Sequence, residues 1–271
     1  MNVYATLDDL KALLDVTTAQ ENTQLLRLLT AASRQVEQIK LTGRYFYCYE
    51  GTRYFAGGHR QLWLPDDILS ITTLKCDFDG DGTYEVTMDA TDYHLYPLNS
   101  YPKILLMANS NGNYASFAPG QPQGVEIVGI FGFADCATPF TEKTALAGSL
   151  GASETEFEVD SGALVKVGQT VRVGSEQMFV EDVVQNKLYV KRPVNGTTAA
   201  THSEDDAVSV YDYPADITQA VLIMAMRAWK RKDSAYQDVV GSPETGQVIT
   251  SKGIDPDVKE LVAPYRRQQY V

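Results

Sequence analysis

At 271 residues, with 44% hydrophobic and 21% charged side chains, the chain has a globular composition and length for one large domain or two ordinary ones. A net charge of −12 argues against a surface that coats nucleic acid, which needs a basic face. No apolar run approaches the roughly 20 residues of a membrane-spanning helix, and the acidic opening stretch is unlike a secretion signal.

The chain opens as two helices. Thr6 is placed to cap a short one carrying Leu7, Leu10, Leu13 and Leu14, and Thr18 with Glu21 reads as a capping box for a longer one. On the second helix Leu25, Leu29, Ala32, Val36 and Ile39 form one stripe for burial, with Gly43 as the stop. From Arg44 the period changes to two, and short aromatic and β-branched strands follow: RYFYCYEG, TRYF, RQLWLP, ILSITTLKCDF, TYEVTM, YHLYPL, KILLMA and GVEIVGIFGF. A second β-rich unit begins near Thr141 with TEFEVD, TVRVGS, QMFVEDVV, KLYVKR and AVSVYD, and reads as an inserted all-β domain over residues 141–212.

The helical period then returns. Asp216 with Gln219 is placed to cap a helix carrying Ile217, Ala220, Val221, Met224, Ala228 and Trp229. This face matches the earlier stripe in character. Pairing of the two would make residues 1–140 and 213–232 one discontinuous core, interrupted by the insertion. The expected fold class is α+β: a small helical core with a β-rich region, an inserted all-β domain and an extended C-terminal arm over residues 233–271.

That arm is too poor in large apolar residues to offset its own ordering entropy up to about residue 253. Beyond it, Val258, Leu261, Val262 and Tyr265 recur at helical spacing beside Arg266 and Arg267, the pattern of a segment that docks. Arg227, Lys230, Arg231 and Lys232 cluster at the end of the preceding helix. Cations there complement the helix macrodipole, or form a docking patch for an acidic partner.

Chemistry-bearing motifs are few. Asp77, Asp79 and Asp81 followed by Gly82 open like an EF-hand calcium loop, but the twelfth position is Met88 and the flanks are strand-like. A hairpin turn is the plainer reading, with these three aspartates as the metal candidates. The histidines His59, His94 and His202 share no ligand spacing, and each is expected to be a surface or loop residue. Cys48, Cys76 and Cys136 are widely spaced and odd in number, which fits free thiols in a reducing cytoplasm. No catalytic constellation stands out, and no cofactor is expected. The sixteen tyrosines, many in the first β region, suit half-buried strands or a subunit contact surface.

The order of parts resembles the head–tail connector (adaptor) proteins of long-tailed bacteriophages. The resemblance rests on YATLDDLKALLD with LLRLLTAASRQVEQI and RYFYCYEGTRYF, on GVEIVGIFGFA followed after the insertion by PADITQAVLIMAMRAWKR, and on the terminal VKELVAPYRR. The inserted SEQMFVEDVVQNKLYVKRPVNGTTAATHS looks like a β module of phage structural proteins, where an Arg-Gly turn is common; here Arg192 is followed by Pro193.

The resemblance implies a non-enzymatic virion protein of the neck, assembled in the host cytoplasm. It would form a homo-oligomeric ring, dodecameric in the virion, between the portal protein at the capsid vertex and a tail-side neck or tail-terminator protein. DNA would pass through its lumen, and no membrane is involved. The partner-binding residues would be Val258, Leu261, Val262, Tyr265, Arg266 and Arg267 on the arm, with Arg231 and Lys232 at the end of the preceding helix. Deleting residues 254–271 is expected to leave a folded protein unable to join portal-bearing heads. The alternative is a carbohydrate- or calcium-binding β module of a phage structural protein.

Overall fold

A computed structural model describes residues 2–232, 239–241, 248–250 and 253–267. The fold is α+β, with two six-stranded sheets in which every pairing is antiparallel. The chain divides into two compact units. One gathers Met1–Arg44, Phe140–Val194 and Ala199–Val271; the other holds Tyr45–Pro139 and Asn195–Thr198.

Helix α1 (Leu7–Leu14) starts where Thr6 Oγ1 accepts the Asp9 N–H, as the sequence suggests. Helix α2 (Asn22–Val36) starts later than its capping box predicts. Thr18 does hydrogen-bond Glu21 through the side chains, but Glu21 itself is the N-cap and its side chain bonds no helix N–H. Leu25, Leu29, Ala32 and Val36 are buried as expected, whereas Ile39 is 67% exposed because the helix ends three residues before it.

The Tyr45–Pro139 unit is a single sheet. Its strands are β1 (Tyr49–Phe55), β2 (Gln61–Cys76), β3 (Val86–Met88), β4 (Tyr93–Tyr96), β5 (Lys103–Ala108) and β6 (Val125–Phe131), in the order β1-β6-β2-β5-β4 with β3 beside β2. RQLWLP and ILSITTLKCDF read as two short strands, yet they form one 16-residue strand with Pro65 inside it. The reason lies in the pairing. Gln61–Trp63 pair with β5, the register breaks between Trp63 and Ile68, and the second half pairs with β6. Pro65 falls in the break, where no ladder N–H is required. A further irregularity between Ile71 and Thr73 faces Gly129 of β6, where a Cβ would lie 2.2 Å from the Ser70 carbonyl oxygen. Phe55, Leu62, Ile68, Leu74, Leu106, Phe117, Ile127 and Phe131 build the core of this unit.

The other unit combines the helices with a second sheet: β7 (Phe140–Ala145), β8 (Glu156–Glu158), β9 (Thr170–Val173), β10 (Glu176–Val184), β11 (Lys187–Lys191) and β12 (Ala207–Tyr211). Its order is β7-β12-β9-β10-β11-β8, and its two edges meet through a Leu146–Val159 bridge, with Ala147 donating to the Glu158 carbonyl at 3.0 Å. The sheet therefore closes on itself as a small barrel, leaving little open edge. Leu146, Leu150, Val171, Val173, Met178, Val180, Leu188 and Val208 fill it.

Helix α3 (Ala215–Arg231) follows β12 directly and packs against α2, the predicted pairing of the two stripes. Pro214, not Asp216, is its N-cap; Asp216 lies in the first turn, where a carboxylate suits the dipole. Strands β13 (Val239–Gly241) and β14 (Val248–Thr250) pair antiparallel, and helix α4 is Pro256–Val262.

The expected domain division is redrawn. Residues 1–44 and the C-terminal segment group with the barrel that the sequence suggests is an insertion, and Tyr45–Pro139 with Asn195–Thr198 form a unit of their own. The contacts responsible are specific. Leu7 N–H donates to the Val167 carbonyl (3.1 Å), Thr170 Oγ1 donates to Asn2 Oδ1 (3.0 Å), and the Tyr4 and Tyr213 rings meet at a tilt with centroids 4.9 Å apart.

Candidate functional site

The C-terminal segment is the candidate docking element, and its geometry differs from a free arm. Asp255 caps α4 by accepting the Asp257 N–H at 2.9 Å, and the same carboxylate pairs with Arg227 of α3. Pro256 occupies the first turn, where its missing N–H costs nothing. Helix α4 lies on α3, with Val258 and Val262 at 0% and 2% exposure. The Tyr265 hydroxyl donates to Asp216 at 3.3 Å, and the Arg267 N–H donates to the Thr42 carbonyl beyond α2 at 2.8 Å.

Two of the proposed gripping side chains, Val258 and Val262, are thus already buried against their own chain. Period alone signals an apolar face but not what covers it. Leu261, Tyr265 and Arg267 are half-buried and Arg266 is exposed. At the far end of α3, Arg231 is exposed and the Lys232 ammonium sits 3.2 Å from the Trp229 ring centroid. Leu261 and Pro264, with the carboxylates of Asp216, Asp257 and Glu260, line a cleft of about 390 Å³ beside α4.

The Asp77 loop is the hairpin turn between β2 and β3. Gly80 N–H donates to Asp77 Oδ1 (2.6 Å) and Gly82 N–H to Oδ2 (2.9 Å), with both glycines at positive φ. Removal from water works against ionisation of Asp77, but the N–H bonds from Gly82 and Gly80 outweigh it and hold the carboxyl below the usual carboxylate range. Asp77, Asp79 and Asp81 converge as the spacing suggests. Glu85, at the ninth position, joins them, so that one ligand oxygen from each lies within 4.8 Å of the others. Met88, where an EF-hand needs its bidentate Glu, is buried in β3 opposite Leu74.

A third constellation was not legible from spacing. Glu176 opens β10 fully buried, and Arg192 meets it bidentately, Nε to Oε1 at 2.8 Å and Nη2 to Oε2 at 2.6 Å. His202 Nε2 lies 2.9 Å from Oε2, and the Ala200 N–H donates to the same oxygen at 3.0 Å. Arg192 spends its remaining N–H groups on the carbonyls of Gly151, Glu154 and Ala200. Burial disfavours the Glu176 charge, but bonds from Arg192, His202 and Ala200 outweigh it and hold the carboxyl below its ordinary value. His202 is in a loop, as expected, bridged to Leu150, but it is not a surface residue: its side chain is only 6% exposed and partners Glu176. Only proximity in the fold joins positions 176, 192 and 202.

Of the thiols, Cys48 and Cys76 are buried and Cys136 is exposed, all unbridged. Burial pushes the Cys76 thiol up to about 12, so it remains protonated and a poor nucleophile.

No protein-family model matches the sequence, and no curated protein is similar to it at a significant level.

Proposed function

We propose that this chain is a structural, non-enzymatic subunit of a phage neck, forming a ring between the portal and the tail-side components and letting DNA pass through the lumen. The observation that carries this reading is the helical bundle built from both ends of the chain. Helices α2 and α3 pair across the intervening β segments and α4 closes on α3, in the order of parts that resembles the connectors. The net charge of −12 suits a passage for DNA, since a repulsive wall lets a polyanion slide where basic residues would hold it. A phage lacking this gene should accumulate heads and tails that do not join, and purified protein added to those portal-bearing heads should form a ring at the vertex by electron microscopy. Normally joined virions without the gene would overturn the proposal.

A second reading, that the first β unit takes up a divalent cation, is favoured by the four converging carboxylates of the Asp77 loop. It predicts that millimolar calcium raises the melting temperature and that Asp79→Asn with Asp81→Asn removes the rise. A melting curve indifferent to calcium would dismiss it.

A further inference from the structure

We infer that neighbouring copies join head to tail, the basic C-terminal end of α3 on one copy seating in the acidic cleft beside α4 on the next. This deepens the ring reading and rests on it.

The cleft has an apolar floor, Leu261 and Pro264, and three carboxylates, Asp216, Asp257 and Glu260, all exposed. Asp216 and Asp257 also complement helix N-termini, which accounts for their placement in first turns. Glu260 sits a full turn into α4 and has no such role. Asp257 and Glu260 are three residues apart, so they share a face and raise the negative charge at one spot. Lys259, although on the same helix, does not line the cleft.

The complementary charge is on the same chain. Lys230 and Arg231 are exposed at the opposite end of α3. A helix of 17 residues separates its ends by about 25 Å, so one copy cannot bring its own basic end into its own cleft. Only a second copy can. A single such contact between opposite ends of α3 is heterologous, the relation that generates rings when the rotation closes. The reciprocal two-fold arrangement, each basic end in the other copy's cleft, would stop at a dimer, and a particle mass of two copies would overturn the head-to-tail contact. Leu261 and Pro264 supply apolar area, and the charges set direction and register.

The test uses full-length protein, alone and on portal-bearing heads, with particle mass and ring occupancy as readouts. Asp257→Lys with Glu260→Lys should weaken assembly by at least about tenfold, as should Lys230→Glu with Arg231→Glu. The chain carrying all four changes should recover assembly, because the charges are exchanged rather than lost. Asp216 is left intact because it supports the α3 start and bonds Tyr265. Melting curves identify any variant that fails to fold, and the two ends provide independent variants.

Wild-type rings that persist unchanged in both reversals would overturn this interface while leaving the ring reading standing. Loss in each reversal without recovery in the exchanged chain would overturn the pairing. Wild-type protein that forms no ring either alone or on heads would remove the ring reading and this inference together.

Discussion

Replacing Arg192 with alanine is expected to destabilise the barrel by about 3–5 kcal/mol, the usual cost of removing one partner from a buried ion pair. The variant should melt well below the wild type by circular dichroism. The side chains of Arg192 and Glu176 are 1% and 0% exposed, so water cannot replace the guanidinium. Its loss leaves a buried carboxylate and also strips a donor from the carbonyls of Gly151, Glu154 and Ala200. Glu176→Gln keeps the shape and should cost less.

The pair also makes stability pH-dependent. The folded-state pKa of Glu176 lies below its unfolded value, so the folded chain binds fewer protons between the two. Its contribution is present above the unfolded value, near the ordinary 4.5, and disappears as pH falls through the lower folded one. Wild-type melting temperature should therefore drop below about pH 4.5, and Glu176→Gln should flatten that part of the curve. Equal slopes in the two proteins would refute the assignment.

Truncation after Gly253 is expected to destabilise the helical unit rather than leave it intact with a missing arm. Full burial of a valine is worth roughly 1.5–3 kcal/mol, so losing Val258 and Val262 alone should cost about 3–6 kcal/mol. The Arg227–Asp255 pair and the Arg267–Thr42 backbone bond go with them. Val258→Asp should reproduce most of the loss in full-length protein, because an unpaired carboxylate would be forced into an apolar contact. Arg266→Ala, at an exposed position, should change stability by no more than about 0.5 kcal/mol. A truncated chain that unfolds at the same urea concentration as the full one would show that α4 contributes nothing to the core. A defect in head joining after this truncation would not by itself identify a portal contact, since the fold is altered. Point changes at Leu261, Tyr265 and Arg266, which keep exposed surface, separate the two effects.

Local signals suffice where the neighbouring chain decides the outcome. Thr6 caps α1 because its acceptor and the Asp9 N–H are three residues apart. The Asp77 turn forms because Gly80 and Gly82 supply the positive φ it requires. The continuity of β2 through Pro65 is not legible locally, because the ladder break that tolerates it depends on which strand lies alongside each half of β2.

By itself the sequence determined the α+β class, the α2 stripe as far as Val36, the first part of the α3 stripe (Ile217, Ala220 and Val221), most strands and the convergence of Asp77, Asp79 and Asp81. These follow from periodicity and turn chemistry within a few residues, or from an apolar face that must be covered by something. Only the tertiary structure decided what covers each face. It placed α4 on α3, grouped the N-terminal helices with the barrel, and brought Glu176, Arg192 and His202 together. Those outcomes depend on apolar area and hydrogen-bond partners far apart along the chain, and spacing carries no record of them.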